Sequence, residues 1–535
     1  MVLAFSLMLG GLGCHKEKKT VLAQEQGILL INNGVEPEDL DPQTATGVSE
    51  HSIFLAIYEG LVSEDPHDLH PVPGVAESWD ISPDGLVYTF HLRKDAKWSN
   101  GDPVTAQDFY DSYHRILTPE LGSDYIYMHF FTKNAEAYAT GKIKDFSQVG
   151  YRVVDPLTFE ITLTTATPFF LSVMNHASWY PVHIPTVKKF GGLARKAAFW
   201  TKAGNCVTNG AFTLQEWKQQ SIIRCVKSRN YWDAKTVKLN EIVFYPIESS
   251  NTEERAFRAG QLHKTNELPL SKIPWYRENR PDLLRQEPYL GTYFFRVNTR
   301  KPPLDNPKVR LALAMSIDRK MIVEKITRGG QLPADSYTPP GTANYTAEAK
   351  IPTDFAKARQ LLAEAGYPDG KGFPKLDLMF NTLESHRTIA EAIQEMWRNN
   401  LHIDIGLTNL EWKVYLDAQD TENYQICRAA WIGDYADPQN FLDMWVKGGG
   451  NNHTGWDNPE YNALYAKLQN TSIPADRISI FQKMEALLMA EAPILPVYWY
   501  TRVYLIRPEV QGWYPNILDH HPYKYVWFGK PEASH

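Results

Sequence analysis

The chain has 535 residues and a formal net charge of −7, with 43% hydrophobic and 22% charged residues. This length exceeds a single compact core, so two or three lobes are expected within an ordinary globular protein. The acidic balance offers no basic surface and excludes nucleic acid as the main partner. The 15 Trp and 28 Tyr residues suit a ligand cleft, although ordinary core packing uses the same side chains.

The N-terminus carries the only long apolar run, residues 2–13, which is too short to span a bilayer and ends at Cys14. We interpret it as an export signal, so residues 1–23 are treated as leader and linker. The sequence is compatible with two alternative processing sites. The order of segments resembles a bacterial lipoprotein signal, which implies a lipid on Cys14, whereas ordinary signal-peptidase cleavage would follow Ala23. Either route predicts a periplasmic or cell-envelope location.

In the first half of the chain, alternating apolar residues and turn dipeptides predict mainly antiparallel hairpins. Every second residue from Leu86 to Leu92 is apolar, which predicts a strand with one buried face. Thr105 and Asp108 form a capping-box pattern that predicts the start of a helix. The other predicted elements are a strand over 27–32, a helix over 50–61, hairpins over 151–164 and 209–227, and a strand over 241–247.

After residue 291, helices alternate with strands, which predicts an α/β lobe. A long amphipathic helix is expected to begin near Pro307 and to continue through Ile317 to Ile322. Ser385 is expected to cap a helix that runs to about residue 399. The remaining predicted elements are helices over 356–365, 412–417 and 474–490, and strands over 402–407, 424–431 and 494–500. The whole chain is therefore predicted to be mixed α/β.

Three cysteines follow Cys14, namely Cys206, Cys225 and Cys427. An odd number in an exported protein predicts at least one free thiol, and the absence of a CxxC pair gives no support for zinc or redox chemistry. Cys427 is interpreted as a small apolar residue on a buried strand.

A family resemblance is carried by residues 76–109, which read AESWDISPDGLVYTFHLRKDAKWSNGDPVTAQDF. This block resembles the signature of the extracytoplasmic solute-binding proteins (family 5) that feed peptide ABC importers, and it is most similar to the oligopeptide-binding branch. The resemblance implies a two-lobed α/β fold of the type II periplasmic-binding (Venus-flytrap) class, with hinge strands and an extra third domain. The implied boundaries are 24–58, 184–290 and 500–535 for lobe I, 59–183 for the extra domain and 291–499 for lobe II.

The strongest site candidate is Asp434, which follows a hydrophobic strand directly after Gly433. Open α/β lobes present ligand-binding groups at such positions, although an Asp there can equally cap the loop. The resemblance implies that Asp434 pairs with the α-ammonium of a peptide and that Arg428 and Trp431 belong to the same binding cleft.

Other positions match the family one by one. The resemblance implies that Tyr125 contacts the N-terminal portion of the ligand, that Trp412 and His386 line side-chain pockets, and that Tyr500 is an aromatic wall of the cleft near a hinge. It also implies that Gly47 and Val48 lie on a segment whose backbone pairs with the peptide as an added strand. The resemblance also implies a disulfide between two positions that here are Gly291 and Ile432, so this crosslink is expected to be absent. One acidic position of the family's cleft is here Arg296.

The predicted function is capture of oligopeptides between two lobes and delivery to the permease and ATPase of an ABC transporter, by a monomer without cofactor or metal. Alternatives within the family are a dipeptide, a nickel complex, haem or a sugar as ligand. A secreted hydrolase with an aromatic cleft is the alternative from another class, but no nucleophile or metal-protease motif occurs, so no enzymatic activity is predicted. A lipid on Cys14 is the only expected attachment to the membrane.

Overall fold

The computed structural model describes residues 18–196, 199–469, 471 and 473–530. Cys14 and the predicted export signal lie outside the described residues. Within the described part, no helix is both long and apolar enough to cross a membrane.

The described strands are β1 Ile28–Asn32, β2 Val62–Glu64, β3 Pro71–Pro73, β4 Ala76–Ile81, β5 Val87–Leu92, β6 Tyr151–Asp155, β7 Thr158–Thr162, β8 Phe212–Lys218, β9 Ile222–Lys227, β10 Glu241–Tyr245, β11 Leu284–Val297, β12 Leu332–Pro333, β13 Leu376–Asn381, β14 Ile405–Leu410, β15 Ile426–Ile432, β16 Ile494–Leu505, β17 Val510–Gln511 and β18 Trp527–Phe528. The described α-helices are α1 Lys19–Glu25, α2 Val48–Ile57, α3 Ala106–Leu117, α4 Ala135–Ala139, α5 Phe170–Val173, α6 Ile184–Lys189, α7 Ser250–Arg258, α8 Ile273–Asn279, α9 Pro307–Met315, α10 Arg319–Met321, α11 Phe355–Glu364, α12 Glu384–Leu401, α13 Trp412–Asp420, α14 Gln439–Leu442, α15 Pro459–Leu468 and α16 Pro474–Glu491.

Three larger sheets organise these elements. The first sheet has the strand order β1-β10-β9-β8, the second β4-β5-β7-β6 and the third β12-β16-β11-β15-β13-β14. The first sheet has its own hydrophobic core, which also takes in the C-terminal residues Tyr504, Ile506 and Val510. The second and third sheets share one continuous core. The fold is thus mixed α/β, as the sequence pattern predicts.

The block that carries the family resemblance folds as its local pattern predicts. Alternate residues of β5 are buried, and β5 pairs with β4 and β7. Thr105 and Asp108 form the expected capping box at the start of α3. The α3 side chains of Phe109, Tyr113 and Ile116 are fully buried against this sheet.

Two long strands connect the two hydrophobic cores. β11 and β16 pair antiparallel along most of their length, from Leu284 opposite Leu505 to Arg296 opposite Ile494. Leu505 packs in a cluster beside the first sheet, whereas Arg296 lies at the far end within the third sheet. The register shifts between Pro288 and Thr292. Irregular pairing at this crossing is suited to bending, because a bulge weakens the ladder locally.

The prediction of a single long helix from Pro307 is wrong. α9 ends at Met315, where the Ser316 hydroxyl bonds back to the carbonyls of Ala312 and Leu313 at 2.9 Å each. Asp318 then accepts the amide of Met321 and caps a new short helix. Side-chain bonds of this kind compete with the helix ladder and therefore break it.

Three other predicted boundaries are shifted. α2 occupies 48–57 instead of 50–61, because the backbone at Tyr58 is extended. Leu383, and not Ser385, is the N-cap residue of α12. His402 has the left-handed conformation that ends this helix, so the strand predicted over 402–407 begins only at Ile405. β13 and α15 were not predicted, because their apolar residues are interrupted or lack a clear period.

Cys206, Cys225 and Cys427 are free thiols in the structure, and Cys427 is buried on β15. Gly291 and Ile432 lie directly opposite each other on β11 and β15. A Cβ atom on Gly291 would stand 2.5 Å from the Ile432 Cδ1. The isoleucine therefore fills the space beside the glycine, and this strand pair has no crosslink.

Candidate ligand-binding site

A cleft with a cavity of about 370 Å³ lies between the first sheet and the end of the third sheet. All nine predicted binding residues border it, although they come from distant parts of the chain. They are Gly47, Val48, Tyr125, His386, Trp412, Arg428, Trp431, Asp434 and Tyr500. The structure therefore brings the predicted set together at one site, and the role of each residue stays a prediction.

Asp434 lies in the loop after β15, and its side chain is only 12% exposed. Its Oδ2 accepts a hydrogen bond from the Asn440 amide at 3.0 Å, while its backbone N–H donates to Asn440 Oδ1 at 2.8 Å. Asn440 also accepts the indole N–H of Trp431 at 3.1 Å. The Asn440 side chain thus holds both Asp434 and Trp431 in position.

The charge state of Asp434 follows from its surroundings. Burial raises the pKa of Asp434 to about 7, although the Asn440 hydrogen bond and the positive field of His520 favour the anion. His176 Nε2 lies 3.5 Å from Asp434 Oδ1. Burial lowers the pKa of His176 to about 3, so this contact is with a neutral imidazole and is not an ion pair. Asp434 is therefore a buried acid that no cationic side chain of the described residues contacts directly.

His520 and its neighbour His521 have different partners. His520 Nδ1 lies 2.8 Å from the Glu64 carboxylate, while His521 Nε2 lies 2.9 Å from Asp519. Asp519 also pairs with Arg502 at 2.7 Å. Burial opposes ionisation of Asp519, but Arg502 and His521 hold its pKa below the usual range. Arg502, Asp519, His520 and His521 all border the cleft.

An aromatic wall stands beside Asp434. The ring of Tyr125 lies 4.2 Å from that of His176 and 6.4 Å from that of Trp431, centroid to centroid. Trp431 and Tyr125 are both buried. Rings in this arrangement offer apolar surface to a ligand and exclude water from the acid beside them.

Arg428 occupies another part of the cleft wall. Its Nη2 donates to the Tyr500 hydroxyl at 2.8 Å, and its guanidinium lies over the ring of Tyr293, 4.8 Å from the centroid. Nη1 is 3.4 Å from the amide oxygen of Asn381. Among the described residues, no carboxylate lies within 4 Å of this buried cation, and its Nε has no hydrogen-bond partner.

The predicted side-chain pocket residues stand at the starts of two helices. His386 lies in the first turn of α12, where its Nδ1 is 3.4 Å from the hydroxyl of Tyr293. Burial lowers the pKa of His386, so the ring is neutral. Trp412 begins α13, stacks on Tyr415 at 5.7 Å and has an unpartnered indole N–H.

The segment expected to pair with a ligand backbone is not a strand. Gly47 is extended, but Val48 is the first residue of α2. The first N–H groups of a helix have no partner within it, so this turn still presents backbone donors to the cleft. A Cβ atom added to Gly47 would meet the Glu50 carboxylate, so a larger residue at position 47 would require the Glu50 side chain to move.

Several cleft residues were not predicted from the sequence. His176 and His520 border the cleft with Asp434, whereas Asn440 is fully buried and bonds to Asp434 without bordering the cleft; none of the three was assigned to ligand binding. The proximity of Asn440 to Asp434 along the chain was the only available signal. Elsewhere, Asp65, Asp68 and His70 place one potential metal-ligand atom each within 4.8 Å of one another, but they are at the surface and outside the cleft.

The structure has two parts with separate cores, which are joined by strands that run through both and which enclose an aromatic cleft. This is the architecture of a two-lobed solute-binding protein. Residues 70–453 match the model of the bacterial extracellular solute-binding proteins, family 5. The chain belongs to this family.

Known proteins resemble the chain along nearly its whole length. The periplasmic oligopeptide-binding protein OppA of Escherichia coli is 37% identical over 507 residues, covering 92% of this chain and 91% of the relative. OppA of Haemophilus influenzae in complex with the peptide RPPGFSPFR is 32% identical and superimposes with a TM-score of 0.89, covering 94% of this chain and 99% of that one. The match confirms the predicted type II periplasmic-binding fold.

A third comparison bears on the arrangement of the lobes. The unliganded open form of the murein tripeptide-binding protein MppA is 34% identical and covers 94% of this chain and 98% of its own, yet its TM-score is only 0.63. The lobes here are therefore arranged more like those of the peptide complex than like those of the open form.

Proposed function

We propose that this protein captures oligopeptides outside the cytoplasmic membrane and delivers them to an ABC importer. One observation carries the proposal: Asp434 is buried at the cleft, and no Lys or Arg nitrogen of the described residues lies within 4 Å of its carboxylate. An unpaired buried carboxylate is unfavourable. The α-ammonium of a peptide would supply the missing cation and form charge-assisted hydrogen bonds.

The other cleft residues have matching roles in this proposal. Tyr125 and Trp431 would pack against the first residues of the peptide. Arg428 would bind an acceptor further along it, because its present partners are the neutral groups of Tyr500 and Asn381. Recognition through the backbone and the terminal charge tolerates many side chains. Relatives that are oligopeptide-binding proteins support the same ligand class.

The mechanism would be closure about a hinge. β11 and β16 connect the two cores and shift register between Pro288 and Thr292, so bending there would move one lobe against the other with little change inside each. Closure would surround the peptide and exclude water, which strengthens the pairing at Asp434. The closed surface would then be presented to the permease. We retain the predicted lobe boundaries as part of this proposal.

Attachment to the membrane would be through Cys14. The alternative cleavage after Ala23 falls inside α1, which is packed on the body. Ala23 lies in a cluster with Leu30 and Val243, and the Thr20 carbonyl lies 3.1 Å from His263 Nε2. Cleavage there would remove most of this helix, so a mature chain that begins upstream retains these contacts.

A thermal-shift screen tests the ligand class. Peptides of two to nine residues are compared with a sugar, haem and a nickel complex, because a ligand at about 100 times its Kd stabilises the folded state by about 2.7 kcal/mol. We expect peptides with a free N-terminus to raise the melting temperature and their N-acetylated forms to do so much less. A shift with haem or sugar alone would contradict the proposal.

A further inference from the structure

Arg296 is a second buried cation in the wall of the cleft, and it is only 6% exposed. Its Nη1 donates to Gln419 Oε1, and its Nη2 donates to the Asn451 carbonyl at 3.3 Å. Both acceptors are neutral. Its Nε has no partner, and no carboxylate of the described residues lies within 4 Å of the guanidinium. A buried cation served only by neutral groups is incompletely compensated.

An additional unpartnered donor borders the same region. The amide nitrogen of Asn451 has no hydrogen-bond partner, and this residue is 7% exposed. The nearby ring of His453 adds no charge, because burial lowers its pKa to about 3. Asp420, whose side chain is 60% exposed, lies 3.7 Å from His453, and Asp124, which also borders the cleft, is paired with Lys196 at 3.2 Å. The wall therefore presents a positive charge and unpartnered donors, and no carboxylate of the described residues lies within 4 Å of the guanidinium.

The distance from Asp434 follows from the strand register. Arg296 is opposite Cys427, and Gly291 is opposite Ile432, which lies just before Asp434. Five residues of β15 separate these pairs, or roughly 17 Å at about 3.4 Å per residue. The backbone of Arg296 is therefore displaced along the strands from the end of β15, after which Asp434 follows.

We propose that Arg296 and Asn451 form a carboxylate-binding subsite in the cleft wall, separate from Asp434. The subsite would favour peptides that place either an acidic side chain or their own C-terminal carboxylate there. Each guanidinium or amide N–H would donate to a carboxylate oxygen, and ionised acceptors form the stronger bonds. This inference rests on the proposed peptide-binding function.

The test is calorimetry with peptides of four to seven residues, all with a free N-terminus. One series moves a single Glu along the peptide against a Gln control at each position, and the other compares a free C-terminus with its amide. We expect the wild type to bind one placement of the carboxylate at least about tenfold more tightly than its neutral counterpart. The series that shows the difference identifies the source of the carboxylate.

Substitution of Arg296 then assigns the preference to this residue. In Arg296→Gln the ratio of the affinities for acidic and for neutral peptides should fall to about one, while neutral amidated peptides still bind. Arg300→Gln is the matched control, since Arg300 is 67% exposed, pairs with Glu422 and removes the same charge outside the cleft. It should keep the full ratio. If Arg296→Gln fails to fold, Arg296→Lys and Asn451→Ala provide the comparison. Arg296→Lys should retain the affinity ratio between acidic and neutral peptides, and Asn451→Ala should partly reduce it.

The outcomes separate the two proposals. Equal binding of acidic and neutral peptides at every position, or an unchanged ratio in Arg296→Gln, would overturn the subsite while leaving peptide binding intact. Failure of every peptide to bind would overturn the proposed function and the subsite with it.

Discussion

Replacement of Asp434 by Asn should have opposite effects on the stability of the free protein and on peptide binding. The pKa of Asp434 is about 7, compared with an ordinary value of 3.8. The folded state therefore retains a proton that the unfolded state releases between about pH 4 and pH 7, so this group lowers stability progressively as pH rises through that window. The difference corresponds to about 4 kcal/mol against the ionised form at pH 8.

The neutral amide removes this penalty, since it keeps the shape of the side chain and its bond with Asn440. Asp434→Asn should therefore raise the melting temperature of the ligand-free protein at pH 8, with a gain that shrinks toward pH 4. Binding of a free peptide should weaken, because truncating one member of a buried charge pair removes about 2–5 kcal/mol. That range corresponds to about 30-fold to about 4000-fold in Kd.

Differential scanning calorimetry at pH 4 and pH 8 measures the first effect, and titration calorimetry with a free peptide and its N-acetylated form measures the second. A variant that is merely misfolded would lose both stability and affinity. Equal affinity of the wild type for the two peptide forms would refute the ammonium role. A lower melting temperature with unchanged affinity would refute the assignment of Asp434 to the cleft's uncompensated charge.

Three other predictions follow from the same structure. Peptide affinity of the wild type should fall by up to about tenfold per pH unit below pH 7, as protonation removes the Asp434 anion, and the Asn variant should lack this dependence. Small-angle scattering should show a smaller radius of gyration on peptide addition, with a tryptophan fluorescence change that shrinks in a Trp412→Phe, Trp431→Phe variant; saturating binding with an unchanged radius would favour a preformed groove. Thiol titration of the denatured mature protein should find three free thiols besides position 14, whereas a single one would reveal a disulfide. These thiols are Cys206, Cys225 and Cys427.

Local structure was largely predictable because it depends on short-range physics. The capping box of Thr105 and Asp108 and the alternating face of β5 need only neighbouring residues, and both were predicted. α16 was predicted to within one residue, because Pro474 favours a helix start and the apolar residues recur with a helical period. Hydrogen bonds from side chains to the helix backbone could not be foreseen in the same way. At the end of α9, Ser316 interrupts the longer helix that the apolar pattern favours.

The family resemblance located the cleft residues by matching single positions, but it could not describe their electrostatic state. The sequence by itself determined that Asp434 follows a hydrophobic strand. Only the tertiary structure decided that His176 is neutral beside the acid and that no carboxylate of the described residues lies within 4 Å of the Arg296 guanidinium. Burial and partnership arise from segments that are far apart in the chain and meet only when the lobes pack, and those two quantities set the pKa and the ligand preference of each group.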